Sequence, residues 1–156
     1  MIRPENTVTN QMGETGSDAG SRAMMLRDRA SSALGMTVLT DDPGFAVVTM
    51  IVREDMLNGF EVMHGGFIFA VADTAFAIAC NESDAVTLAA GAEISFLRPA
   101  RPGQMLTATA VRRTISGRTG IYDVQVTDEA GEVIAEFRGR SRTTALPVPV
   151  GTLPAT

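Results

Sequence analysis

From Phe67 to Cys80, within "HGGFIFAVADTAFAIACN", the chain is apolar at every position except Asp73 and Thr74. The run is too long for a strand and does not alternate, and five of its fourteen residues are Ala, a small and strong helix former. The pattern predicts a central helix entered through His64-Gly65-Gly66, and a helix apolar on all sides belongs inside a core. Its length, and the break at Asp73, are wrong for a membrane span. Ahead of it, Met24, Met25, Leu26, Ala30 and Leu34 recur from Ser21 at roughly helical spacing, with Gly35 as a stop. That predicts one short amphipathic helix on an edge of the domain. Thr37–Leu39 and Phe45–Val52, rich in β-branched residues around "DDPG", predict a β-hairpin. Arg53 to Met63, with Asn58-Gly59 inside it, reads as a loop leading to the central helix.

After the helix, four alternating segments predict strands at Val86–Leu97, Met105–Thr114, Gly120–Thr127 and Glu132–Thr143, joined by "RPARPG", "SGRT" and "DEAG". Short connections containing Gly imply that each strand pairs antiparallel with the next. In the last strand Val133, Ala135, Phe137, Gly139 and Ser141 share one face, while Arg138, Arg140 and Arg142 share the other. That arginine row is either a solvated edge or an anion site. Strands on both sides of a long buried helix describe an α+β domain, an antiparallel sheet curled around one helix. Residues 1–20 are polar and without apolar periodicity, which predicts disorder, and residues 21–144 form the domain. Pro147, Pro149 and Pro154 make residues 145–156 an extended or disordered tail.

Composition narrows the chemistry. At 156 residues and 45% hydrophobic the chain can bury one core unaided. The net charge of −5 argues against nucleic acid, but it is uneven: residues 1–97 hold 5 Arg against 13 acids, and residues 98–156 hold 8 Arg against 5. The second half is where an anionic ligand would be sought. There is no Lys, which excludes Schiff-base chemistry and a P-loop lysine. One His and one Cys cannot build the usual zinc sites, so no metal is expected. Cys80 reads as a buried, inert thiol of a reducing compartment, and no signal-peptide pattern opens the chain, so a cytoplasmic location is expected.

Gly65 and Gly66 at a helix start would leave backbone N–H groups free at the positive end of the helix dipole, able to hold a developing oxyanion. Asp73, if buried, would have its pKa raised by desolvation and could act as a general base or nucleophile. His64 stands directly before the glycines. Each has a plainer reading: a satisfied core carboxylate for Asp73, an ordinary cap for His64, a simple turn for Asn58-Gly59. The absence of G-x-S-x-G argues against a serine hydrolase.

Taken together and in order, "LNGFEVMHGGFIFAVADTAFAIACN", "ISFLRPARPGQ", "SGRTGIYDVQV" and "IAEFRGRSR" resemble the hotdog-fold acyl-CoA thioesterases, over about residues 20–144. The likeness is greatest to the members serving phenylacetate degradation. It implies a hotdog fold and acyl-CoA as substrate, with Asp73 activating water or attacking the thioester. The Gly65 N–H would polarise the carbonyl, and His64 and Asn58 would position the reacting groups. It further implies that coenzyme A lies along Phe96, Leu97, Arg98, Pro99 and Arg101, the turn of Ser116, Gly117, Arg118, Thr119 and Gly120, and Arg142. Arginine forks and backbone donors suit its phosphates. No cofactor is implied, coenzyme A being part of the substrate. The family is known to share active sites between two subunits, and a homodimer, assembled further into a tetramer, is expected. One departure is Ala89, where relatives often carry Ser. Two other readings stay open, a hotdog hydratase or dehydratase and a non-catalytic acyl-CoA-binding protein.

Overall fold

The computed structural model describes residues 19–149. Six strands, β1 (Thr37–Asp42), β2 (Phe45–Ile51), β3 (Ala85–Phe96), β4 (Met105–Ser116), β5 (Thr119–Thr127) and β6 (Val133–Pro147), form one antiparallel sheet ordered β1-β2-β4-β5-β6-β3. The helix α3 (Gly65–Cys80) touches all six, so the sheet curls around it as the sequence pattern predicts. Alternate residues of the central strands point inward: Ala46, Val48 and Met50, then Leu106, Ala108 and Ala110, then Tyr122, Val124 and Val126 are all buried. They meet Val71, Ala72, Ala75, Phe76 and Ala79 of α3, and the many Ala side chains let helix and sheet approach closely. One close approach is at Gly139, where an added Cβ would lie 2.8 Å from the Phe76 ring.

Three expectations need correction. The single N-terminal helix is two, α1 (Ala19–Met25) and α2 (Arg29–Ala33), because the Asp28 side chain accepts the Ser31 N–H at 2.9 Å and starts a new helix there. Both pack on α3. The second correction concerns β3, which pairs with β6, from Ala85↔Pro147 to Phe96↔Ala135, and not with β4. The connection at 97–104 carries two prolines and skips β6 and β5 to reach β4. It is pinned by the buried Ala100, whose carbonyl accepts the Met63 N–H at 2.8 Å. Sequential pairing holds for β4–β5 and β5–β6. Third, β1 runs on to Asp42, which leaves Pro43-Gly44 as the whole turn, with Gly44 at φ +74°.

The expected disorder of residues 1–20 falls outside the described residues except at Ala19 and Gly20, which begin α1. The tail expectation falls partly on β6, which continues to Pro147, and partly on residues 150–156, outside the described range. No described helix is long and apolar enough to cross a membrane.

Candidate active site

Against the sheet α3 is fully packed. Away from it, Gly66, Ala70, Asp73 and Ala77, spaced four, three and four residues apart, keep some exposure, with half-buried Phe67 and Phe69 flanking the start of this stripe. The expectation of a helix buried on every side therefore fails along one line. Asp73 lies on that line. It is half-buried and accepts no hydrogen bond from any described residue, so among these it is not a satisfied core carboxylate. Burial raises its pKa above the usual carboxylate value, and the charge of Asp28 raises it further.

His64 is the N-cap of α3, its Nδ1 accepting the Gly66 N–H at 3.1 Å. That bond leaves the ring proton of a neutral His64 on Nε2. The Gly65 N–H, by contrast, donates to no described acceptor. Gly65 also sits beneath the Phe96 ring, since a Cβ there would lie 3.0 Å from Phe96 Cζ. The candidate oxyanion donor and the start of the expected coenzyme segment are thus neighbours. Asn58 does serve a turn: its Oδ1 accepts the Phe60 N–H at 2.8 Å and its own N–H donates to the Val62 carbonyl at 2.8 Å. The loop it closes carries Glu61 in the left-handed region at φ 60° and Phe60 at 88% exposure.

The expected coenzyme residues fall into two groups. Phe96, Leu97, Arg98, Pro99 and Arg101 lie by the N-terminal end of α3. Arg98 is engaged there, with Glu132 at 3.1 Å and the Val133 carbonyl at 3.0 Å, whereas Arg101 forms no ion pair among the described residues. Ser116, Gly117, Arg118, Thr119 and Gly120 make the β4–β5 turn, whose Thr119 stands across from Arg142 and whose Arg118 carbonyl accepts the Thr143 N–H at 2.8 Å. Beside this turn a polar cavity of about 70 Å³ reaches Cys80, Tyr122 and Ser141. Burial pushes the Cys80 thiol up to about 12, which keeps it an unreactive thiol. The register puts Phe96 opposite Ala135 and Leu88 opposite Arg142, so the two groups stand about 24 Å apart on the sheet at ~3.4 Å per residue. One chain does not bring them together.

Within the arginine row, Arg138 is bound to Asp123 at 2.6 Å, while Arg140 and Arg142 form no ion pair among the described residues. Ala89 is exposed on β3, across from Ser141. A largely apolar cavity of about 460 Å³ lies between α1 and the start of β3, lined by Met24, Val86, Leu88 and Val148, with Asp28 and Asn81 at its polar side. Sequence reasoning missed Asp28, Ser31 and Thr74, which are hydrogen-bonded beside Asp73: Ser31 Oγ donates to Asp28 Oδ2 at 2.6 Å and lies 2.9 Å from Thr74 Oγ1. The signal was present as Asp28-x-x-Ser31, an N-cap pattern inside what otherwise reads as one helix. Among the described residues no cluster of His, Cys, Asp or Glu is arranged to hold a metal.

The profile of the thioesterase superfamily matches residues 60–135. The acyl-coenzyme A thioesterase PaaI of Escherichia coli K12 is 45% identical over 121 residues, 78% of this chain and 86% of its own. A putative esterase of Deinococcus radiodurans is 40% identical over 110 residues, covering 70% of this chain and 75% of its own. The solved structure of the E. coli PaaI protein from the phenylacetic acid degradation operon superimposes with a TM-score of 0.81 at 42% identity, over 83% of this chain and 94% of that one.

Proposed function

This chain belongs to the thioesterase superfamily and is a thioester hydrolase of the hotdog fold, and from that premise we propose that it hydrolyses aryl-acetyl-CoA or related medium-chain acyl-CoA thioesters to the free acid and coenzyme A. The observation carrying the mechanism is a half-buried carboxylate with no hydrogen-bond partner among the described residues, on the same helix as a backbone N–H with no described acceptor. Asp73 takes the proton of the attacking water, or attacks the thioester carbonyl itself. The Gly65 N–H donates to the oxygen as it gains negative charge, and donors fixed in advance at that position are worth several kcal/mol. His64 holds the first turn of α3 in place, and Asn58 shapes the loop that delivers it. Arg101 and Arg142, with the Ser116–Gly120 turn, meet the phosphates of coenzyme A. The cavity between α1 and β3 receives the acyl group.

The site is shared between two copies of the chain, and three features support this. Gly65 and Asp73 are eight residues apart on one helix, ~12 Å at ~1.5 Å per residue, too far for one reacting carbonyl to meet both. The open stripe of α3 carries only small side chains besides Asp73, so a second α3 can approach it closely. The edge strand β3, twelve residues long, exposes Leu88, Ala89, Ala90, Ala92 and Phe96 and has Glu93 as its one charge, a poor way to end a sheet and a good way to continue one. Antiparallel α3 helices about a two-fold axis bring Gly65 of one copy beside Asp73 of the other, and the two groups of coenzyme residues face each other across the same axis.

Release of free thiol from a panel of acyl-CoA substrates tests the reaction and reports the acyl preference. No release from any thioester, with tight binding retained, would favour a non-catalytic acyl-CoA-binding protein instead. Complementation tests the sharing. Asp73→Asn and a separate Gly65 site variant, each inactive, are unfolded, mixed and refolded. Random pairing should restore about a quarter of wild-type activity, because half the dimers are mixed and each holds one intact site of two. Background activity in mixed dimers shown to form would place the site within one chain.

A further inference from the structure

Asp28 is spent twice in the structure, once as a cap and once as a neighbour. Its Oδ1 accepts the Ser31 N–H at 2.9 Å and its Oδ2 the Ser31 hydroxyl at 2.6 Å, so its carboxylate is held at the start of α2 and cannot swing away. The same hydroxyl lies 2.9 Å from Thr74 Oγ1 on α3, in a buried contact between the two helices. Thr74 directly follows Asp73, and consecutive Cα atoms are about 3.8 Å apart. The chain Asp28–Ser31–Thr74 therefore fixes a charged group of α2 next to the carboxylate assigned to chemistry. Asp28 also lines the cavity assigned to the acyl group.

We propose, resting on the reading of Asp73 as the base, that Asp28 is a positioning residue for the reaction: anchored through Ser31 and Thr74, it holds a second carboxylate beside Asp73 and makes Asp73 the stronger base. Two like charges close together cost more than one, so the proton Asp73 takes from water is bound more readily with Asp28 ionised nearby. The raised pKa of Asp73, due first to burial and then to Asp28, agrees with this placement. No other charged group of the described elements packed on α3 acts on Asp73. Strand β2 carries no charge, and Asp41 on β1 accepts the Ser21 hydroxyl at 2.7 Å. On β3 to β6, Glu93, Arg112, Arg113, Asp123, Glu136, Arg138, Arg140 and Arg142 do not act on it, and the Tyr122 phenol interacts with Cys80, Glu82 and Arg112 instead. Arg22, Arg27 and Arg29 are exposed around α1 and α2.

Asn is as good an N-cap as Asp, so Asp28→Asn removes the charge while keeping an acceptor for Ser31 and the start of α2. The acid limb of kcat/KM against pH, which falls as Asp73 is protonated, should move to lower pH in Asp28→Asn, and plateau kcat should drop because the base is weaker. Asp28→Glu, which restores the charge, should bring the limb back towards its original position whatever it does to Tm; a purely structural role would make the two variants follow stability instead. Carbon NMR of labelled aspartate gives a readout independent of turnover. The Asp73 carboxyl resonance, identified by its loss in Asp73→Asn, should titrate at lower pH in Asp28→Asn. An unmoved Asp73 titration in folded Asp28→Asn overturns the inference even if the enzyme is active. A moved titration in a protein that releases no thiol from any thioester upholds the coupling and overturns the thioesterase reading.

Discussion

The face of α3 that meets the sheet and the face that does not are made of nearly the same small residues, yet they answer to different demands. Ala72, Ala75 and Ala79 vanish under β2, β4 and β5, where their smallness lets Phe76 reach Tyr122, Phe137 and the bare Cα of Gly139. Gly66, Ala70 and Ala77 leave a shallow line with Asp73 in it, and each of the four keeps some exposure among the described residues. Small residues on the first face serve packing density, whereas on the second they serve access. The lesson is that one helix can separate stability from chemistry by face, at a spacing of three to four residues.

The sharpest way to break this comparison is Asp73→Asn. It should lower kcat on the order of 10²–10⁴-fold, because the isosteric amide cannot take a proton from water. It should not cost stability. A carboxyl whose pKa is raised by folding destabilises the native state once pH exceeds its native pKa, and that penalty disappears below its unfolded pKa. Tm of Asp73→Asn at neutral pH should therefore match or exceed the parent, with the difference closing on acidification. An unfolded Asp73→Asn would show that the open face also carries stability.

Phe76→Ala is the mirror experiment on the packed face. It should cost about 3–5 kcal/mol in denaturant unfolding, with kcat per folded molecule changed far less than in Asp73→Asn. Gly139→Ala presses on the same ring from the sheet and should cost about 1–3 kcal/mol. Loss of turnover in either variant while it remains folded would mean the two faces are coupled. The smallest effect is expected at a distance from both faces: Arg118→Ala and Arg142→Ala should raise KM more than they lower kcat, by an amount that shrinks with added salt. Equal kinetics towards acyl-CoA and a short thioester lacking the nucleotide would remove these arginines from the site.

How much of this could be read in the sequence depended on range. The central helix, its cap at His64 and the alternating faces of β6 were legible because each is written in residues three or four, or two, apart. The pairing of β3 with β6 was not, since it joins residues some forty to sixty positions apart and no local pattern encodes it, whereas the Gly-containing "RPARPG" reads locally as a link between neighbours. The break at Asp28 was masked by apolar spacing that fits one helix as well as two. At the site, Asp73 and Gly65 were legible as residue types in a telling context. The contact of Phe96 with Gly65 and the linkage of Asp28 to Thr74 were not, because both are made by elements distant in the chain.

The strand order also sets a timetable for synthesis. Helix α3 is finished at Cys80, but β4, β5 and β6, which cover its packed face and complete the partner strand for β3, end only at Pro147. At about 5–20 residues per second the intervening stretch takes on the order of 3–13 s to emerge from a ribosome. Until then the apolar helix has only β1 and β2 of its cover, and β3, once made, has no partner strand. Nascent chains halted between residues 100 and 130 should be the most sensitive to chaperone depletion and the most prone to aggregate, and sensitivity should fall once β6 is free of the exit tunnel.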